Sequence, residues 1–316
     1  MVKLIHTGDW HISIPESNEE FYIKRFQDVI HAIYMEDAES IVIAGDIFHK
    51  TPTVLEVSLF IWALYILQDS TIYIIPGNHD SGTKKYKAQR YKYLSAIFSY
   101  FKPPNVIYTD DILEHDQFLL VSNDYIRLKK EIPVNKDKIL ISHIRHELKF
   151  GEKTKKAEYD LTKLLDFKLV LLSDIHTTVN YFDNIWYSTS PYRTHIKTIN
   201  DIKEIDDSIF GYNVIDLETL EVLHKELRLP NVYKMIVSSD YTFSTDYPGI
   251  INIVYEVTLD NINRKKDGQI VFKRNFESIE LQENLYDMIS EILKQDYNIK
   301  EPEIYMMRLL ELVGDI

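Results

Sequence analysis

The chain has 316 residues, 36 Lys plus Arg against 49 Asp plus Glu, a formal net charge of −13, and no cysteine. A length of this order suits two domains, or one large domain with an appendage, and easily buries a core. Without cysteine, disulfides, zinc ribbons, iron–sulfur clusters and thiol nucleophiles are excluded, so any metal sits on His, Asp, Glu or Asn; the acidic balance argues against an indiscriminate nucleic-acid coat protein.

Lys3, His6 and Asp9 interrupt the first apolar stretch, unlike a signal peptide. The longest nearly apolar run, 57–67, is well short of the ~20 residues that span a bilayer. The expected location is cytoplasmic, with no membrane association.

In chain order, short runs rich in Ile, Leu and Val at 3–7, 40–44, 71–75, 138–142 and 168–172 read as strands buried on both faces. Helical patterns are expected between them, at 17–38, 53–68, 84–101 and 155–166. The alternation is that of a layered α/β domain. From about 180 the pattern turns β-rich, with strands at 184–188, 211–216 and 222–229. A boundary is placed at Pro230-Asn231, so that 1–230 forms the core, 231–280 a smaller α+β capping domain and 281–316 a helical segment. Beyond the boundary come strand-like runs at 251–259 and 269–276, then two helical patterns.

Polar residues follow each early strand at once: Gly8-Asp9-Trp10-His11, Gly45-Asp46, Gly77-Asn78-His79-Asp80, His143, and Asp174-Ile175-His176. Ligands gather at the carboxyl ends of strands in open α/β sheets, so five loops are expected to converge. Mixed oxygen and nitrogen donors without sulfur suit Mn, Fe or Zn better than Ca. A shared carboxylate can hold two ions about 3.5–4 Å apart, which polarise a phosphoryl oxygen and activate water. The implied reaction class is phosphoester hydrolysis.

This series of motifs resembles the calcineurin-like metallophosphoesterases, a four-layer αββα fold. Within them, Gly45-Asp46-Ile47-Phe48-His49 followed by Thr51-Pro52-Thr53 looks like the SbcD-type DNA repair nuclease subunit and its bacteriophage recombination-endonuclease relatives. The resemblance implies Asp9, His11, Asp46 and His176 around one metal, with Asp46 bridging to a second held by Asn78, His143 and residue 174. It implies that His79 steadies the phosphorane or protonates the leaving 3′ oxygen, and that His49 helps orient the DNA strand. Two Mn2+ (or Mg2+) ions are the implied cofactors. The implied function is 3′-to-5′ exonuclease and single-strand endonuclease activity, with an SMC-like coiled-coil ATPase (SbcC-type) in double-strand-break repair or recombination. Rival readings are a phosphatase or cyclic-nucleotide phosphodiesterase of the same fold, and a non-catalytic scaffold.

The fifth motif departs from the usual Gly-His-x-His, reading Ser173-Asp174-Ile175-His176. Asp is shorter than His but ligates hard cations well, so a metal is still expected, with preference shifted toward Mn2+ or Mg2+. The rival is that Asp174 falls short and leaves that site weak. This variant, with the high Tyr and Ile content, suggests a phage source. His6, His31, His115, His195 and His224 read as ordinary core-edge or surface histidines, and His146 as a neighbour of the site or merely exposed.

Residues 81–156 hold 16 Lys plus Arg against 9 Asp plus Glu, a local +7 that leaves −20 for the rest. Lys84, Lys85, Lys87, Arg90 and Lys92 follow the third motif; Arg145, Lys149, Lys153, Lys155 and Lys156 follow the fourth. Together they are expected to track DNA phosphates. The helix at 53–68 is apolar on nearly all sides, so its excess is buried by the core or by another chain. By resemblance, this helix and the one at 84–101 form a homodimer interface, and the C-terminal helical pair docks the ATPase.

Overall fold

In the computed structural model the described residues are 2–15, 18–80, 93–129, 131–146, 148–150, 153–155, 157–176, 178–194, 197–199, 210–238, 250–256 and 270–271. The chain runs β1 (Lys3–Thr7), α1 (Glu19–Tyr34), β2 (Ser40–Ala44), α2 (Val54–Ile66), β3 (Thr71–Ile75), α3 (Tyr93–Tyr100) and β4 (Val106–Tyr108). Next come β5 (Ile112–His115), β6 (Phe118–Val121), α4 (Asn123–Lys129), β7 (Ile139–His143) and a small hairpin of β8 (Leu148–Phe150) and β9 (Lys153–Lys155). A single 3-10 turn, Leu161–Leu164, precedes β10 (Leu169–Ser173), β11 (Val179–Tyr181), β12 (Ile185–Tyr187), β13 (Lys197–Ile199), β14 (Phe210–Asp216) and β15 (Val222–Leu227). Last are β16 (Val232–Ser238), β17 (Ile250–Glu256) and β18 (Ile270–Val271).

Two six-stranded mixed sheets with flanking helices form a layered α/β core, in the orders β15-β14-β1-β2-β3-β4 and β11-β12-β10-β7-β6-β5. Alternation assigns the faces. Leu4, Val42, Ala44, Tyr73 and Ile75 of the first sheet share one core with Phe118, Leu120, Ile139, Ile141, Leu169 and Leu171 of the second. The neighbouring residues Leu119, Val121, Leu140, Val170 and Leu172 face the other way and join Ile126 of α4 with Leu161, Leu164 and Phe167. Burial on both faces explains why these strands read as continuous apolar runs.

Parallel pairing sets the strand ends level: Thr7 lies opposite Ile43, Ala44 opposite Ile75, and Ser173 opposite His143. The loops after β1 and β2 continue side by side beyond their strands. Asp9 N donates to Gly45 O at 3.0 Å, His11 N to Asp46 O at 2.8 Å and Ile12 N to Ile47 O at 2.7 Å. Every chemistry-bearing loop therefore leaves from the same end of the two sheets.

One expectation is corrected. No α-helix spans 155–166: Lys153–Lys155 pairs with Leu148–Phe150, and the apolar spacing beyond it serves only one 3-10 turn, capped by Asp160 through Thr162 N. Arg145, partly exposed, donates from Nη2 to Glu158 Oε1 at 3.0 Å. Of the helix expected at 84–101, α3 covers Tyr93–Tyr100. Lys84, Lys85, Lys87, Arg90 and Lys92, Lys156, His195 and the segment 281–316 lie outside the described residues.

The chain divides into two compact units, 1–233 with 245–250, and 234–244 with 251–316. In the second, β17 pairs antiparallel with β18, setting Asn252 against Val271 and Ile253 against Ile270. No helix among the described residues is long and apolar enough to cross a membrane.

Candidate metal centre

Asp9 and His11 follow β1, Asp46 follows β2, Asn78 and His79 follow β3, His143 ends β7, and Asp174 and His176 follow β10. The structure brings all eight together. Two glycines permit this approach. A Cβ on Gly45, whose φ is +79°, would sit 2.4 Å from His143 Nδ1, and one on Gly77 would sit 2.2 Å from Asp46 Oδ1. Backbone strain concentrates on the same residues: φ is 50° at Asp9, 43° at His11, 51° at Asp46, 114° at Asp174 and 56° at His176. Positive φ at non-glycine residues costs energy and persists only where the surroundings fix it.

Two groups of donors form around Asp46. On one side, His11 Nε2 lies 3.6 Å from Asp46 Oδ2 and 3.0 Å from His176 Nε2, and His176 Nε2 lies 3.5 Å from Asp9 Oδ1. On the other, His143 Nε2 lies 3.4 Å from both Asp46 Oδ2 and Asp174 Oδ1. Asn78 Nδ2 completes this side, 2.9 Å from Asp174 Oδ1 and 3.3 Å from His143 Nε2. Asp46 Oδ2 thus stands between the groups, and the Asp174 side chain, though shorter than His, reaches its group.

These residues fit divalent cations. Asp9 Oδ1 is buried with no hydrogen-bond partner among the described residues. The facing Nε2 atoms of His11 and His176 cannot both point lone pairs at each other unless a proton or cation sits between them. Asp9, His11 and His176 form one tight donor group, and Asp9, Asp46 and His143 another. Turning the Asn78 amide over would present its oxygen instead of its nitrogen. The donor set of oxygen and imidazole nitrogen suits Mn, Fe or Zn.

Electrostatics describe a site that holds shared protons when no cation compensates it. Burial, reinforced by Asp46 and Asp174, pushes the Asp9 carboxyl well above its usual range. Burial works against charge on His143 as well, yet Asp46, Asp174 and Asp9 together hold this imidazole well above its ordinary value. Burial pushes His11 well below. Asp46 is kept low despite its burial by His143, His11 and His79. A cation binding here displaces protons.

Neighbouring groups set the orientation of the donors. His143 Nδ1 lies 2.9 Å from Ala44 O; donating there leaves Nε2 as the lone-pair nitrogen. Asp80 accepts from Ile47 N at 3.2 Å, Phe48 N at 3.0 Å and Gly77 N at 2.8 Å, lacing the second and third loops together. Burial and the nearby Asp46 push Asp80 up to about 6. It is the last residue of Gly77-Asn78-His79-Asp80, and sequence reasoning gave it no role.

At the exposed edge stand His49 and His79, with rings stacked at 5.3 Å. His79 Nδ1 lies 2.7 Å from His49 O, and His79 N donates to Asp46 Oδ1 at 2.8 Å. His49 Nδ1 is 3.4 Å from His11 Nδ1. His146 stands apart from the cluster, its ring against Tyr181 at 4.8 Å.

A further stretch passes behind the centre. Ser190 Oγ donates to Asp9 O at 2.7 Å, the Tyr192 hydroxyl donates to Trp10 O, and Thr194 Oγ1 lies 3.1 Å from His176 Nδ1. Sequence reasoning missed these residues. Hydroxyls in a loop carry no pattern of their own, and the neighbouring Ser188-Thr189-Ser190-Pro191 is the only local hint of an ordered turn.

A family model described as calcineurin-like phosphoesterase matches residues 2–178. No curated protein sequence matches the chain. Among solved structures, a phosphopantetheinyl hydrolase from Mycobacterium tuberculosis is 12% identical, covering 58% of this chain and 87% of its own, with a TM-score of 0.35. A nuclease MPE from Pseudomonas putida is 13% identical over 57% of this chain and 64% of its own, with a TM-score of 0.27. A dimetal phosphatase from Danio rerio is 8% identical over 67% and 91% respectively, with a TM-score of 0.38.

Proposed function

This chain belongs to the calcineurin-like phosphoesterase family, whose chemistry is metal-dependent phosphoester hydrolysis, and from that premise we propose that it is a Mn2+-dependent DNA nuclease of the SbcD type. It acts as a 3′-to-5′ exonuclease and single-strand endonuclease with an SMC-like ATPase, in break repair or recombination. The supporting observation is the stacked pair His49 and His79 at the exposed edge of the donor cluster. A leaving 3′ oxygen needs a proton donor at that edge. Donation from His79 Nδ1 to His49 O fixes the ring and leaves Nε2 to face the reacting group.

When bound, the two cations polarise the phosphoryl oxygens and lower the pKa of water. The protein's own groups do the rest. Asp46, between the two donor groups, sets their separation. Water, giving up one proton to solvent, attacks phosphorus in line, the bond to the 3′ oxygen breaks, and His79 delivers a proton from Nε2 to that oxygen. The local charge of +7 over 81–156 supports an extended polyanion as substrate rather than a small phosphomonoester.

A homodimer is part of the same reading. Val54, Leu55, Val57, Ile61 and Tyr65 are the positions of α2 that its own fold leaves partly or fully exposed, and Val54, Val57, Ile61 and Tyr65 among them recur at helical spacing. The ATPase is assigned to 281–316 by resemblance alone.

The deciding experiment follows Mn2+-dependent degradation of 3′-labelled DNA beside turnover of p-nitrophenyl phosphate and cyclic nucleotides. DNA should be degraded from its 3′ end. Turnover of the small esters with intact DNA would assign a phosphatase or cyclic-nucleotide phosphodiesterase instead.

A further inference from the structure

The donor residues come from five loops, but a sixth stretch, 188–194, contributes no candidate ligand and still touches half of the centre. Ser188 Oγ is 2.7 Å from Ser173 Oγ, on the first residue of the fifth motif. Ser190, fully buried, donates to the carbonyl of Asp9. Buried Tyr192 donates to the carbonyl of Trp10. Those two carbonyls sit between Asp9 and His11, both at positive φ, where the backbone needs external support. Thr194 then meets the imidazole of His176. None of these four contacts is to the side chain of His143, Asn78 or Asp174.

We propose that 188–194 is a positioning strap for the Asp9, His11 and His176 half of the centre, and that Thr194 sets the tautomer of His176. His176 Nε2 faces the donor group, 3.0 Å from His11 Nε2 and 3.5 Å from Asp9 Oδ1, so on the two-cation reading it is the nitrogen that offers its lone pair to a cation. A neutral imidazole can do so only with its proton on Nδ1, and that proton needs an acceptor. Thr194 Oγ1, 3.1 Å from Nδ1, is such an acceptor. With the opposite tautomer, Nε2–H would point at the cation position and exclude it. The other half is oriented separately, by His143 against the backbone carbonyl of Ala44. One half thus depends on a side chain that substitution can remove, and the other on a backbone group that it cannot.

This proposal rests on the two-cation reading, and its test keeps the two apart. In Thr194→Val the acceptor is lost at nearly constant shape; in Thr194→Ser it is retained. Proteins carrying 15N-labelled histidine, with His176 assigned through His176→Gln, report the tautomer in the absence of metal. Mn2+ titration by calorimetry then reports the sites. Wild type and Thr194→Ser should show His176 protonated at Nδ1 and two classes of Mn2+ site. Thr194→Val should lose that signature and weaken one class about 10–100-fold, the effect usual for the partner of a ligating histidine, while the other class is unchanged. An unchanged His176 signature in Thr194→Val overturns the proposal, as does equal weakening of both classes with normal thermal unfolding. A single class in wild type defeats the two-cation reading, and the His176 spectra still decide the role of Thr194.

Discussion

Asp46 and His79 illustrate how much a residue's role depends on its second contact. Asp46 Oδ2 faces both imidazole groups while Oδ1 accepts from His79 N, so one carboxylate fixes the spacing of the donors and the position of the proposed proton donor at their edge. His79→Ala should lower kcat about 10²–10⁴-fold, the usual range for general acid catalysis, and leave Mn2+ affinity intact; a parallel loss of cation binding would make it a ligand instead. His6 is a different kind of histidine. It lies in the core with Nε2 unpartnered among the described residues, and burial pushes its pKa down to about 3. The unfolded chain binds a proton near 6.5 that the folded chain refuses until about pH 3. His6 therefore makes stability rise with pH across that window, by up to about 1.4 kcal/mol per unit. Urea unfolding at pH 7, 6 and 5 should show a steeper loss on acidification in wild type than in His6→Gln, and equal slopes would absolve His6.

Among the elements, α2 shows both how well the sequence announces structure and where it stops. Thr53 and Glu56 form a capping box: Thr53 Oγ1 accepts from Glu56 N, and Glu56 Oε2 accepts from Thr53 N at 2.7 Å. Glu56 is fully enclosed and also accepts from Ile14 N at 2.8 Å, so the helix start holds the loop that carries His11. Thr53→Ala should cost about 1 kcal/mol. Glu56→Ala, which removes the partner of two backbone N–H groups at once, should cost more, about 1–3 kcal/mol, and depress activity as well; chemical denaturation compares the two. The five early strands were legible because they are apolar on both faces, and the ligand loops because charged residues rarely follow such strands in series. The helix expected over 155–166 failed because Leu161 and Leu164 at a spacing of three fit one 3-10 turn as well as a helix. The short strands β4, β5 and β6 offered three or four residues each, too few for a period to show. Ser190, Tyr192 and Thr194 act through single hydrogen bonds across more than 15 residues of sequence, which no local pattern reports.

For the molecule as a whole, self-association can be tested apart from chemistry. Ile61→Glu places a charge within the partly exposed stripe of α2. In sedimentation it should convert the proposed dimer to a monomer, and an unchanged mass would move the interface elsewhere. The cluster of positive φ angles carries a wider implication. Each such residue costs about 1–2 kcal/mol relative to glycine, and Asp9 adds a buried oxygen, Oδ1, without a partner among the described residues, which together outweigh the one hydrogen bond that its Oδ2 accepts from Asp174 N at 3.0 Å. Asp9→Gly should therefore raise the melting temperature of the cation-free protein while abolishing turnover, which calorimetry and a DNA cleavage assay would show together. Stability and activity are in direct opposition at this position. A screen that selects this protein for heat resistance alone would be expected to drift toward a sturdier fold with no catalyst in it.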